Sequence, residues 1–315
     1  MGNAPDMIES YPNDRLQPTR SGELCDPLER GKIVFFPESP VPFPPEPDLE
    51  FLRNELPGVL HRKNISYHPE QHRVVGIGGS RDVRRRALEI FREHSDRVQA
   101  FLKESIAPLA RDWTVATSSF RPLQERGRDL PVHASNERVH VDAGAYGATH
   151  GNRILRFFMN AHPREDRVWI SKGTFPDVYR RYGRSADIAP PGGRPRDLSE
   201  GMGNRVYSEV LKGLSFAGLP FARLADTSPY DRLMRRFHNF MKDSPEFQES
   251  PEGHQQFAFP PGSAWMVFTD MVTHACLSGQ HAFIDTFIVP LANCGHPEFA
   301  PFSILQRGPE DGPCR

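Results

Sequence analysis

The chain reads as mainly β with flanking helices, an α+β arrangement in which helices pack around an antiparallel core. Three observations predict it. Proline makes up 31 of 315 residues, roughly twice ordinary usage, and gathers in runs at 36–48, 189–195 and 260–261. Proline interrupts helix interiors and central strands, so the regular elements must be short. From Trp113 onward, short stretches rich in Val, Ile, Phe and Thr alternate with Pro, Gly and polar breaks, the pattern of many short strands. Sustained helical periodicity is strongest at 81–107, where Val83, Ala87, Ile90, Phe91, Val98, Phe101 and Leu102 recur at three- and four-residue steps.

Taken in order, residues 1–30 are polar and turn-prone and are expected to be poorly ordered. Lys32 to Phe36 is a short buried strand. Residues 46–56 and 81–107 are helical, and Pro108 stops the second. The glycines at 76, 78 and 79 mark a turn, and Arg84 to Arg86 a solvated helix face. Strands are expected at 113–121, 138–142, 153–160, 168–170, 264–269 and 283–289. A helical insert at about 196–245, with helices at 205–214 and 230–241, interrupts them. The expected layout is a single domain over 31–292 and a tail at 293–315.

Composition narrows the function. The 39 Lys and Arg nearly balance 40 Asp and Glu, a net charge of −1. That argues against a nucleic-acid partner, because such domains are usually basic. No apolar run approaches the ~18 residues of a membrane span, and the polar, acidic start is no secretory signal. Cys25, Cys276, Cys294 and Cys314 show no CxxC spacing. A cytoplasmic protein with reduced thiols is expected.

Chemistry concentrates at His140-Val141-Asp142. Side chains alternate along a strand, so positions 140 and 142 present an imidazole and a carboxylate to one point. Two histidines and one carboxylate on one face of a metal leave the other positions open for reactants. His274 is the candidate third ligand. It follows a turn and an apolar strand and precedes Ser278-Gly279 and a further strand, a layout that in a jelly roll brings a histidine to the barrel mouth. Asp270 and His281 are the rival ligands.

Residues 135–170 resemble the core of the bacterial Kdo hydroxylase family. The shared pattern is His140 to Ala143, Gly151 to Asn160 and Arg167 to Trp169. Lys63 to Ser66, Ser119 to Pro122, and Tyr230-Asp231 through His238 to Met241-Lys242 agree as well. So do Phe259 to Ser263, His274-Ala275, Ser278 to Gln280 and Thr286-Phe287. The resemblance spans about residues 30–292. It implies a double-stranded β-helix, a cupin-like jelly roll, with Fe(II) on His140, Asp142 and His274. It also implies 2-oxoglutarate and O₂ as cosubstrates, ascorbate as an accessory reductant, and hydroxylation of 3-deoxy-D-manno-octulosonic acid (Kdo) of lipopolysaccharide. A small or lipid-linked sugar acid is then the substrate, with peripheral membrane contact and no transmembrane segment.

The 2-oxo acid needs a cation for its far carboxylate. Residues 276–289 contain no Arg or Lys. Arg156, a charge in an apolar strand, is the candidate, with Asn160 on its face and Ser278 and Gln280 from a neighbouring strand. Arg153, three residues earlier, points the other way. Where the family typically has Phe-Pro and a nearby Arg after the His-Val-Asp-Ala motif, this chain has Gly144-Ala145-Tyr146-Gly147. Substrate contacts are therefore expected from Arg121, Arg126, Arg128 and Tyr146. The alternatives are the same oxygenase chemistry on another small polar metabolite, a redox-silent cupin-like metal protein, and a non-enzymatic relative.

Overall fold

The computed structural model describes residues 7–15, 22–144, 147–190, 195–198 and 227–308. Their strands are β1 (Ile8–Ser10), β2 (Ile33–Phe36), β3 (Ile65–His68), β4 (Arg73–Val75), β5 (Thr114–Arg121), β6 (Arg153–Asn160), β7 (Arg167–Ser171), β8 (Gln255–Phe259), β9 (Ala264–Phe268), β10 (Ala275–Ser278) and β11 (Ala282–Val289). Their α-helices are α1 (Cys25–Glu29), α2 (Glu46–Glu50), α3 (Arg81–Ser105), α4 (Phe175–Tyr182), α5 (Pro229–Asp243), α6 (Pro245–Glu249) and α7 (Pro301–Arg307). The expected helix at 205–214 and Tyr146 lie outside the described residues.

Eight strands form one sheet in the order β1-β2-β9-β6-β11-β5-β3-β4, and β10-β7-β8 form a second. All pairings are antiparallel except β1 with β2. The long strands β6 and β11 pair over their whole length, with Arg156 opposite Thr286 and Phe158 opposite Ile284. The two sheets enclose an inner core of Ile33, Phe158, Trp169, Phe257, Phe259, Trp265, Val267, Val272, Cys276 and Ile284. Within it, Trp265 stacks between Phe158 (5.0 Å) and Phe259 (3.9 Å), with Trp169 edge-on. The expected jelly roll is what these residues build.

The outer face of the large sheet carries the second core, filled by Leu155, Phe157, Met159, Phe283 and Phe287 against the helices. Ser80 caps α3 by accepting from the Val83 N–H. That helix buries Ala87, Ile90, Phe91, Val98 and Leu102 along one stripe, as its periodicity predicts. A buried polar anchor fixes it. His94 Nε2 lies 2.9 Å from Asp285 Oδ2, and Ser118 donates to the other carboxylate oxygen.

Three expectations need correction. The segment 138–142 is no regular strand; its pairing is a single bridge between His140 and His274. Within residues 1–30, β1 extends the large sheet by pairing with β2, and α1 buries Cys25 and Leu28. Buried Glu29 ties that helix to the C-terminal segment by accepting from the main-chain N–H groups of Gly295 and His296. Within 293–315, α7 packs Ile304 and Leu305 into the outer core. Strands β3, β4, β8 and β10 and helix α4 were not foreseen, because each is short and lacks the dense apolar run that marks β2 and β9. Helix α4 is instead defined at its start, by a capping box of Thr174 and Asp177.

Candidate metal centre

The His-x-Asp segment and the distal histidine meet through their main chains. His140 N–H donates to the His274 carbonyl (3.1 Å), and His274 N–H returns the bond (2.8 Å). Asp142 N–H is taken by the Thr269 carbonyl at 2.8 Å, just past the end of β9. His140, Asp142 and His274, all buried, each offer a ligand atom within 4.8 Å of the others. His140 Nε2 stands 3.8 Å from Asp142 Oδ1.

Hydrogen bonding fixes which ring nitrogens face inward. His140 Nδ1 bonds the Arg138 carbonyl at 2.7 Å, and His274 Nδ1 bonds the Val272 carbonyl at 2.9 Å. A carbonyl only accepts, so each Nδ1 carries the proton and each Nε2 keeps its lone pair. Burial, and then the neighbouring His274, hold His140 well below the ordinary histidine range. Burial likewise lowers His274. Burial opposes ionisation of Asp142, yet Arg156 and then His274 outweigh it and bring its carboxyl below the ordinary value. Two neutral imidazoles and one carboxylate are the forms that ligate a divalent ion. The donor set thus fits Fe(II).

The rivals are committed elsewhere. Asp270 forms a buried ion pair with Arg153 (Nε–Oδ2 2.7 Å), and that guanidinium lies over Phe268. His281 stacks between Phe120 and His162. Arg153 and Arg156 do point to opposite faces. Arg156 faces the inner core, with Nη2 2.9 Å from Asp142 Oδ2. Thr286 and Thr117 stand beside it in one row across β6, β11 and β5. Thr117 Oγ1 and the Trp169 indole N–H are buried without a hydrogen-bond partner, and Trp169 stacks on His274 at 5.2 Å. Such orphaned groups near a cation suit a carboxylate-bearing guest.

Three of the expected cofactor contacts have protein surroundings of their own in the structure. The Asn160 amide is spent on main chain: Nδ2 donates to the Phe259 and Glu165 carbonyls, and Oδ1 accepts from the His162 N–H. These bonds shape the turn at the end of β6 and use both donor hydrogens of the amide. Gln280 Nε2 donates to the Pro122 carbonyl. Ser278 ends β10 opposite Val168, just past a register shift that follows Cys276.

Arg121 and Arg128 belong to a cationic cluster that the sequence did not reveal as one. Buried Glu125 lies 3.5 Å from Arg167 Nη2 and 3.9 Å from Arg128 Nη1, and both Arg121 and Lys63 act on it electrostatically. Four cations thus surround one carboxylate. Arg167 is 2% exposed, and its Nε and Nη1 have no hydrogen-bond partner. It shares the inward face of β7 with Trp169, two residues on. Gly279 lets it lie there: φ is +144°, and a Cβ would sit 2.6 Å from Arg167 Cγ. Burial, and then Arg121, push Lys63 down to about 7. The signal for Arg167 was a charge in the apolar run 167–170, the same signal that singled out Arg156.

The comparisons with known proteins give the family and the fold. A family model described as 3-deoxy-D-manno-oct-2-ulosonic acid (Kdo) hydroxylase matches residues 12–309. No protein of curated function matches by sequence. Among solved structures, the apo Kdo hydroxylase KdoO, a non-haem Fe(II) α-ketoglutarate-dependent dioxygenase, aligns with TM-score 0.75 and 26% identity. That alignment covers 94% of this chain and 93% of the other. The same protein in complex with α-ketoglutarate and Fe(III) aligns with TM-score 0.73 and 26% identity over the same shares. A Kdo hydroxylase KdoO in complex with succinate and Fe(III) aligns with TM-score 0.75 and 25% identity, covering 98% of this chain and 99% of that one.

Proposed function

The chain belongs to the Kdo hydroxylase family, and from that premise we propose that it hydroxylates Kdo, or a close sugar-acid relative, using Fe(II), 2-oxoglutarate and O₂. The observation that carries the reading is the buried triad of His140, Asp142 and His274, with both Nε2 lone pairs turned toward one point. Solved Kdo hydroxylases of the same fold hold Fe(III) with α-ketoglutarate in one structure and with succinate in another.

Fe(II) held by these three residues would supply O₂ activation coupled to oxidative decarboxylation of 2-oxoglutarate to succinate and CO₂. This chain supplies the rest. The Nδ1 bonds to the Arg138 and Val272 carbonyls lock both imidazoles. Arg156 neutralises Asp142 and is the cation that a carboxylate entering beside the ion would meet. The stack of Trp265, Phe158 and Phe259 fills the barrel behind the site and keeps it dry. The excess charge of Lys63, Arg121, Arg128 and Arg167 over Glu125 suits the carboxylates of the two reactants, 2-oxoglutarate and an anionic sugar. This supports Kdo even though 143–144 and 147–148 bring no cation.

The test is a turnover assay on Kdo-lipid A beside a panel of free sugar acids and amino acids. Succinate release and a hydroxylated product that require Kdo are expected. Turnover of an uncharged or amino-acid substrate alone would refute the substrate and leave the reaction standing. Ascorbate is proposed only as a reductant sustaining Fe(II). No described helix is long and apolar enough to cross a membrane. A cytoplasmic location and contact with a membrane surface are further proposals, supported by a substrate that can be lipid-linked.

A further inference from the structure

The ligand-bearing segment 138–142 lacks the strand pairing that would hold it. Beyond the bridge to His274, the Asp142–Thr269 bond and the Arg138 carbonyl held by His140 Nδ1, its main-chain hydrogen bonds go to side chains of one helical pair, which also holds the flanking chain. Gln248, on α6, takes both groups of Val139: its Oε1 accepts from the N–H (3.1 Å) and its Nε2 donates to the carbonyl (2.9 Å). His238, on α5, places Nδ1 2.8 Å from the carbonyl of Val141, the residue between the two ligands. Lys242, one turn further along α5, donates Nζ to the His133 and Ser135 carbonyls. At the other end of α5, Asp231 accepts from the N–H groups of Thr149 and His150 in the stretch that follows Asp142.

We propose that α5 and α6 act as a clamp that sets the bite of the metal ligands, and that His238 is its central positioning residue. This rests on the metal-centre reading above. His238 lies edge-on to His140, with ring centroids 4.9 Å apart, yet stands outside the group of ligand atoms. Its Nδ1 faces a carbonyl, so Nδ1 carries the proton and acts as donor. Holding Val141 from that side fixes the peptide that joins His140 to Asp142. A small rotation of this peptide would swing both ligand side chains at once. Outer contacts of this kind typically change metal affinity about 10–100-fold when lost.

The two ring nitrogens can be tested apart. The amide N–H of Asn reaches roughly where Nδ1 stood, whereas the amide of Gln reaches roughly where Nε2 stood. Mn(II) alone is the probe, titrated into the whole protein and followed by loss of the free-ion EPR signal, with apo melting curves alongside. His238→Gln and His238→Phe are expected to weaken Mn(II) binding at least about tenfold, and His238→Asn by no more than about threefold. Gln248→Leu, on the other helix, is expected to weaken it as well, and stands in if a His238 variant fails to fold. Wild-type affinity in His238→Gln, or in Gln248→Leu should that variant stand in, overturns the proposal. So does His238→Asn falling as far as His238→Gln, because the group that matters would then be Nε2. A wild-type protein that takes up no Mn(II) refutes the metal centre itself, a result distinct from either.

Discussion

Arg156 and Asp142 are joined across the barrel interior, Nη2 to Oδ2 at 2.9 Å, and this contact sets Arg156 beside the proposed metal site. It separates Arg156 from Arg153, whose guanidinium is committed to Asp270 on the opposite face. Arg156→Leu is expected to raise the KM for 2-oxoglutarate tenfold or more, a loss of about 1.4 kcal/mol or greater, with little change in melting temperature. Arg153→Leu is expected to leave that KM alone and to destabilise the fold by about 3–5 kcal/mol, because it strands a buried carboxylate. Steady-state kinetics and chemical denaturation of the two variants check this. Equal KM effects would show that the strand, and not the carboxylate contact, was damaged.

His274→Ala is expected to abolish high-affinity Mn(II) or Fe(II) binding and turnover together, since each ligand of a three-ligand site is indispensable. His281→Ala, which alters a histidine stacked on Phe120 and His162, is expected to keep wild-type metal affinity. Calorimetric titration of both variants decides between His274 and the rival.

Affinity for the anionic reactants should fall as pH rises through about 7. The sign follows from Lys63, which burial and then Arg121 push down to about 7. Below that pH the ammonium is charged and attracts a carboxylate; above it the amine is neutral and does not. Binding at pH 8 should therefore take up a proton, which titrations in two buffers of different ionisation enthalpy will measure. Lys63→Met should flatten the profile. A profile that keeps its step in this variant would assign the titration to another group.

Asp285→Ala should destabilise the fold by about 3 kcal/mol, because it leaves buried His94 and Ser118 without their shared acceptor. Metal affinity should be unchanged, since the pair lies on the outer face of the sheet. Denaturation and Mn(II) titration measure the two quantities separately.

What the sequence disclosed was set by how local each signal is. The helix 81–105 and the strand 153–160 carry enough period to be read directly, and His140 and Asp142 lie two residues apart. His274 became legible through its surrounding blocks. The clamp and the cationic cluster were not legible. Lys63, Arg121, Arg128 and Arg167 come from β5, β7 and two loops, and their shared surroundings arise only when the small sheet closes on the large one. His238, Lys242 and Gln248 spend their polarity on main-chain groups, and that use leaves no residue pattern. The strand expected at 138–142 failed for a related reason. The alternation was there, but regular pairing stops at the His140–His274 bridge, and side chains bind the main chain of Arg138, Val139 and Val141 instead.

The reciprocal bond between the backbones of His140 and His274 joins positions 134 residues apart (274 − 140). A nascent chain emerging from the ribosome holds an imidazole and a carboxylate long before the third ligand is synthesised. It also lacks β9, β10 and β11, which frame the pocket. Long-range closure of this kind is slow and comes late in folding. On the proposed metal reading, the three-ligand site forms only with this late closure, so high-affinity metal uptake follows the folding of β9, β10 and β11 rather than preceding it.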